Sequence, residues 1–317
     1  MNVGALREML DRHGLHLSRD LGQNFLTDAS YAEELARLAG AGPEDFVIEV
    51  GTGLGVLTRA LAAKASRVRT VEVDSGLVRV LREESLLPEN VELVHADARE
   101  VDWRGWLEEV EGPVRVIANL PYSVATPLLR QLLDLRDRLE DWSVMLQSEV
   151  AARLVAECGD RAYGSLTVLH RLATDVDVRA TVSPARFFPR PKVDSSFVRV
   201  WPRAKSPLRP GELERVERVT RAAFSQRRKR VTNGLRRIGE RLWPDQGASE
   251  VRARLEAVLE EVGIDAGLRP ERIEPEAWLA LARRLDAEGA GSGPEVGSGE
   301  DGRGVGTAGP SGVRDGG

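Results

Sequence analysis

Short apolar runs alternate, through the first two thirds of the chain, with stretches in which apolar residues recur every third or fourth position. Apolar β-rich runs followed by helical periodicity predict βαβ units and a mostly parallel sheet. The expected strands lie near Phe46 to Val50, Val68 to Val73, Val91 to His95, Val114 to Ala118 and Trp142 to Gln147. Helices are expected between them over Leu54 to Ala65, Gly76 to Leu81 and Thr126 to Asp134. A further helical stretch ends near Ala173. Asp175 to Val182 and Ser195 to Trp201 then alternate as an antiparallel pair at a sheet edge does. The pattern predicts an α/β fold with a doubly wound, mostly parallel seven-stranded sheet.

Pro202, Pro207 and Pro210 punctuate the chain after that sheet, and beyond them only helical periodicity remains. Val216, Val219, Ala223 and Phe224 form one apolar stripe, and Val251, Leu255, Val258, Leu259 and Val262 another. Trp278, Leu281 and Leu285 mark a last helix from about Pro275. The expected organisation is an α/β domain over residues 1–203 and a small all-helical domain over 204–288. In the Gly-rich tail over 289–317, too few apolar side chains remain to offset chain entropy, so disorder is expected.

Composition narrows the setting. No run of about 18 apolar residues occurs, so no membrane span is expected. Arg7, Glu8, Asp11 and Arg12 interrupt any export-signal core, which predicts a cytoplasmic protein. Cys158 is the only cysteine, which excludes an internal disulfide and a thiolate zinc cluster. His13, His16, His95 and His170 have no metal-like spacing, so no metal is expected. The net charge of -5 argues against a polyanionic partner until its distribution is read. Between Lys205 and Arg241 twelve basic residues face only four acids, and Arg227, Arg228, Lys229 and Arg230 are consecutive. On a helix those four cannot share one solvated stripe, so some must point toward a partner, and RNA is the economical one.

Glu49-Val50-Gly51-Thr52-Gly53-Leu54-Gly55 follows an apolar strand and opens a helix, where glycines allow a tight turn and close approach to a ligand. A dinucleotide fingerprint needs its third glycine at position 56, where Val56 stands. The Gly-x-Gly-x-Gly spacing after an acid looks instead like the S-adenosylmethionine class of the doubly wound fold. Glu72 ends the second strand about 20 residues on, where a carboxylate accepts from a ribose diol. Asp97 ends the third strand, where a carboxylate can accept from an adenine amine.

Asn119-Leu120-Pro121-Tyr122 directly follows the strand Val114 to Ala118, at the carboxyl end where ligands bind in open α/β sheets. The lone pair of an adenine N6 amine is delocalised into the ring, so methylation needs acceptors for the amine hydrogens. The Asn119 side-chain oxygen and the carbonyl of Leu120 or Pro121 can supply them, and Tyr122 offers a face on which a base stacks.

At these residues the sequence resembles the ribosomal RNA adenine N6-dimethyltransferase family, the bacterial kasugamycin-resistance methylases and their eukaryotic and mitochondrial relatives. The match runs from about Leu17 to about Leu285. Gly22-Gln23-Asn24-Phe25-Leu26 is similar to the family's cofactor-covering segment, which implies that Asn24 and Leu26 touch the methionine and ribose end. The resemblance also implies that Gly51, Glu72, Asp97 and Asn119 line the cofactor. Leu146 to Arg153 and Tyr163-Gly164 match later family segments. So does Phe187 to Ser195, which implies that Phe187 meets the target base. Ala223 to Lys229 resembles the family's basic RNA-contacting helix. Ser148 stands where a lysine is common, Arg230 where a small or polar residue is usual, and the net charge is acidic for the family. The implied activity is S-adenosylmethionine-dependent dimethylation of N6 on two adjacent adenines in a hairpin loop near the 3′ end of 16S ribosomal RNA. The implied partner is small-subunit RNA or an immature 30S particle, the resemblance also implies a checkpoint role in small-subunit biogenesis, and nothing in the chain demands a dimer. The competing readings are a large-subunit adenine methylase of the macrolide-resistance kind and a non-catalytic RNA-binding assembly factor.

Overall fold

The computed structural model describes residues 3–15, 23–120 and 122–290. Helix α1 (Val3–Arg12) and a two-residue strand β1 (Phe25–Leu26) precede α2 (Ala29–Leu38). The sheet then begins. Strands β2 (Phe46–Val50), β3 (Arg67–Glu72), β4 (Val91–His95), β5 (Val114–Asn119) and β6 (Asp141–Gln147) are separated by α3 (Val56–Ala62), α4 (Ser75–Glu83), α5 (Trp103–Glu108) and α6 (Tyr122–Asp134). After α7 (Ser148–Val155) and α8 (Ser165–Ala173) come β7 (Thr174–Val182), β8 (Phe187–Phe188) and β9 (Ser195–Pro202).

The seven long strands form one sheet in the order β4-β3-β2-β5-β6-β9-β7. The first five are parallel, while β9 runs antiparallel to both β6 and β7. The seven-stranded α/β expectation therefore holds, with strand limits within about one residue of those read from periodicity. β2 is buried at every position, which a strand covered by helices on both faces requires. One face carries α2 and α3 through Leu35, Leu57 and Leu61 against Val47, Val68 and Ile117. The other buries Trp142, Val144 and Val198 against Leu128, Leu132, Val168 and Leu172. Parallel order on β2, with β3 to one side and β5 to the other, places a topological switch point at the carboxyl ends of these strands.

The helical segment comprises α9 (Glu212–Phe224), α10 (Val231–Leu242), α11 (Ala248–Glu261) and α12 (Pro275–Ala290). Its apolar stripes, Val216 and Val219 among them, pack around Trp278 and continue directly into the core of the adjoining sheet face. The seam is hydrogen-bonded as well: the buried Tyr163 hydroxyl donates to the Ile273 carbonyl at 2.8 Å. Tyr163, Phe224 and Trp278 form a chain of tilted rings at 6.0 and 5.9 Å. The Gly-rich tail expected from residue 289 lies, beyond Ala290, outside the described residues.

Candidate active site and basic cleft

The loop between β2 and α3 turns through three glycines with positive φ, Gly51 at 84°, Gly53 at 56° and Gly55 at 72°. At Gly53 a side chain would also collide with the site, whereas at Gly51 it would only come into contact with it. A Cβ on Gly51 would sit 3.4 Å from the Asn119 carbonyl oxygen, and one on Gly53 only 2.9 Å from the Phe25 ring. Behind the loop, Glu49 is fully buried and accepts from Thr58 and Thr70 hydroxyls at 2.6 Å each, both on Oε2. Its other oxygen has no hydrogen-bond partner among the described residues. Burial pushes its carboxyl up to about 8, against the lowering effect of the two hydroxyls. Glu49 is therefore largely protonated at neutral pH and fixes the loop as a neutral hydrogen-bonding group.

Glu72, at the end of β3, holds the loop from the other side. Its Oε2 accepts from the Gly53 N–H at 2.9 Å and its Oε1 from the Asp74 N–H at 3.0 Å. Each carboxylate oxygen can accept a second hydrogen bond, so a diol remains within its capacity. Burial raises its carboxyl from the usual value, opposed by those backbone donors. Asp97 lies past the end of β4. Arg99 grips its carboxylate through Nε at 3.0 and 3.1 Å and through Nη2 at 2.5 Å, holding its pKa below the usual value.

Asn119 is the last residue of β5. Its Nδ2 donates to the Asn24 carbonyl at 3.0 Å, which turns the donor end of the planar amide toward residues 23–26 and leaves Oδ1 as its other, acceptor end. Leu120 is buried beside it. Pro121 falls outside the described residues, and of Tyr122 only the backbone is described, where it opens α6. Phe187 reaches the same place from β8. That strand pairs antiparallel with β1, Phe25 opposite Phe188 and Leu26 opposite Phe187, so the N-terminal segment is strapped across the mouth of the sheet. Sequence periodicity gives no sign of this two-residue pairing.

One cavity joins these pieces: Asn24, Leu26, Gly51, Glu72, Asp97, Asn119, Leu120 and Phe187 all line it, with Gln23, Val124 and Ser195. Of the proposed site residues, only Pro121 and the Tyr122 side chain cannot be placed there, and the four cations lie elsewhere. The cavity fits a nucleoside with an amino-acid arm: two carboxylates line it, the glycine cradle has no room for a Cβ at Gly53, and apolar Leu26, Leu77 and Val73 supply walls. Among the described residues no His, Cys, Asp and Glu group is arranged to hold a metal, and no helix is long and apolar enough to cross a membrane.

Comparison with known proteins agrees with this geometry. Residues 14–260 match the family model described as ribosomal RNA adenine dimethylase. The chain belongs to the ribosomal RNA adenine dimethylase family. It is an S-adenosylmethionine-dependent methyltransferase. Among its relatives, the ribosomal RNA small subunit methyltransferase A of Rhodospirillum rubrum is 41% identical over 90% of this chain and 93% of its own length. That of Desulfotalea psychrophila is 35% identical, covering 90% and 97%. In fold, the dimethylase is similar to a dimethyladenosine transferase from Plasmodium falciparum, with a TM-score of 0.68, 24% identity, and coverage of 84% of this chain and 98% of that one. It is also similar to the 23S rRNA methyltransferase ErmE, with a TM-score of 0.58 and 29% identity over 83% of this chain and all of the other.

The dimethylase carries its basic residues differently from the helical arrangement expected for them. Arg227, Arg228, Lys229 and Arg230 are not on a helix: α9 ends at Phe224, and successive turns, Arg227 N–H to Phe224 O at 3.3 Å and Lys229 N–H to Gln226 O at 2.8 Å, carry the chain to α10. The helix restarts where the buried Val231 N–H finds the Leu268 carbonyl at 2.8 Å. Arg228, Lys229 and Arg230 line an open cleft with Asn233, Arg252, Gly267 and Arg269. Arg252 and Arg269 come from α11 and the loop beyond it, and no local sequence signal ties them to the basic run. Arg227 turns away from this cleft. Its Nη2 donates to the Asp160 carbonyl at 2.9 Å, and its Nε lies 3.9 Å from Glu271, across the seam between sheet and helices.

Proposed function

We propose that the dimethylase transfers methyl groups from S-adenosylmethionine to N6 of two adjacent adenines in the hairpin loop near the 3′ end of 16S ribosomal RNA, in the small subunit or an immature 30S particle. The observation that carries this is Asn119 at the end of β5, its amide nitrogen hydrogen-bonded to the Asn24 carbonyl, in one cavity with Gly51, Glu72, Asp97 and Phe187. When bound, S-adenosylmethionine supplies the electrophilic methyl group. Asn24, Leu26, Gly51, Glu72 and Asp97 hold it, the two acids accepting from its nucleoside hydroxyls and adenine amine. Asn119 Oδ1, with the carbonyl of Leu120 or Pro121, accepts the N6 hydrogens, draws the lone pair out of the ring and aims it in line with the methyl. Tyr122 and Phe187 stack the flipped-out base. No dedicated strong base is needed, because the amine becomes acidic only as it gains the methyl.

Residues 1–203 act as the catalytic domain and 204–288 as the RNA-binding domain, where Arg228, Lys229 and Arg230 meet backbone phosphates together with Arg252 and Arg269. The protein works in the cytoplasm as a monomer and without a metal. The names of the relatives support small-subunit RNA over the large-subunit alternative. The complete cavity supports catalysis over a binding-only role. The test incubates the protein and radiolabelled S-adenosylmethionine with small and large subunits that lack the modification, followed by nuclease digestion and chromatography. N6,N6-dimethyladenosine from small subunits only is the expected result. Label in large-subunit RNA, or tight binding without label, would overturn it.

A further inference from the structure

The strap formed by residues 23–26 does more than cover the cavity. Asn119 Nδ2 donates to the Asn24 backbone carbonyl at 3.0 Å, and that carbonyl is anchored on both sides. On one, Gln23 Nε2 donates to Asp74 Oδ2 at 2.7 Å, tying the strap to the residue that caps α4. On the other, Phe25 and Leu26 pair with Phe188 and Phe187, and the Thr27 N–H donates to the Arg186 carbonyl at 3.2 Å. Phe25 is also wedged against Gly53, so the strap cannot slide toward the loop. A primary amide presents a donor at one end and an acceptor at the other, and rotating it by half a turn exchanges them. Turned that way, Oδ1 would face the Asn24 carbonyl, two acceptors in opposition. We propose that the Asn24 carbonyl is a positioning group for the reaction: it selects the one orientation of Asn119 that presents an acceptor to the base, so the cofactor-covering strap also sets the catalytic amide. The proposal rests on the reading of Asn119 as the N6 acceptor.

Two experiments test it. Replacing Phe25 by its α-hydroxy acid turns the Asn24–Phe25 amide into an ester, whose carbonyl accepts more weakly, while every side chain is kept. The control makes the same replacement at Phe188, which perturbs the same strand pair and leaves the Asn24 carbonyl an amide. In the cofactor-free protein the Asn119 side-chain amide protons, followed by 15N-edited NMR, should shift upfield in the ester at 25 and not in the control. The single-turnover rate of methyl transfer should fall about three- to tenfold, with S-adenosylhomocysteine affinity changed less than about twofold. Amide resonances equal to the control, or shifted resonances with an unchanged rate, would overturn the proposal. A wild-type protein that transfers no methyl would defeat the reading of Asn119 instead, and the NMR arm would still decide whether the carbonyl holds the amide. The second experiment needs no backbone chemistry. In Asn119→Asp only the protonated carboxyl has both a donor for the Asn24 carbonyl and an acceptor for the base. Its residual rate should therefore rise as pH falls, approaching tenfold per unit above the carboxyl pKa. A rate that is flat or falls toward acid would contradict the proposal.

Discussion

Glu49 offers a sharp test of how the glycine loop is held. The perturbation is Glu49→Gln, an approximate isostere of the protonated acid that keeps an oxygen for the Thr58 and Thr70 hydroxyls. In the folded chain, burial pushes the Glu49 carboxyl up to about 8 from 4.5. A carboxyl whose pKa is raised on folding binds its proton more tightly in the folded state. Its contribution to stability is complete below the unfolded value and is lost as pH rises through the folded one. At ~1.36 kcal/mol per pKa unit, and allowing for half-ionisation at the upper end, the wild type should lose about 2 kcal/mol from this group between pH 6 and pH 8. Glu49→Gln has no such group, so the stability difference between the two proteins should move by that amount, in favour of the variant at high pH. Urea unfolding at pH 6, 7 and 8 measures it. A difference that stays flat over that range would refute the argument, because it would mean that Glu49 is already ionised at pH 6 with its charge compensated.

Other outcomes follow from the same geometry. Gly53→Ala places a methyl 2.9 Å from the Phe25 ring at a residue with φ of 56°, and should weaken S-adenosylhomocysteine binding at least about tenfold by calorimetry, from left-handed strain of ~1–2 kcal/mol together with displacement of the strap. Unchanged affinity would mean that the loop does not shape the cofactor site. Lys229→Ala or Arg269→Ala should each lower the slope of log affinity against log salt for RNA binding by about one, whereas Arg227→Ala, whose guanidinium is turned to the Asp160 carbonyl, should leave that slope unchanged. Tyr163→Phe removes the 2.8 Å hydrogen bond to Ile273 and strands a carbonyl in the seam, and should cost about 1–2 kcal/mol in urea unfolding.

Legibility in the sequence follows physical range. Strands β2 to β6 can be read because burial on both faces demands continuous apolar runs, and the site residues Gly51, Glu72, Asp97 and Asn119 can be read because each stands at a strand end that the fold brings to one edge. What periodicity misses is short or made by distant contact. Helix α5 is only six residues long; α2, α7 and α10 are amphipathic, so their stripes are legible although they are not among the expected helices. The pairing of β1 with β8 is only two residues long and joins segments more than 150 residues apart, yet it brings Leu26 and Phe187 to one cavity. The basic run fails for another reason. Its charge density was visible, but whether Arg227 faces solvent or the seam depends on Asp160 and Glu271, and the cleft needs Arg252 and Arg269 from elsewhere in the chain. Buried Glu49, half of the loop's support, looked only like the acid that precedes the glycines.

The most direct test of the central claim is the mass of the 3′-terminal hairpin fragment of 16S RNA, cut from unmodified small subunits after incubation with the protein and S-adenosylmethionine, beside a parallel reaction with Asn119→Ala. The account predicts a gain of four methyl groups, two on each of two adjacent adenines, with the wild type and none with the variant. A fragment of unchanged mass with the wild type, or equal methylation with Asn119→Ala, would contradict it.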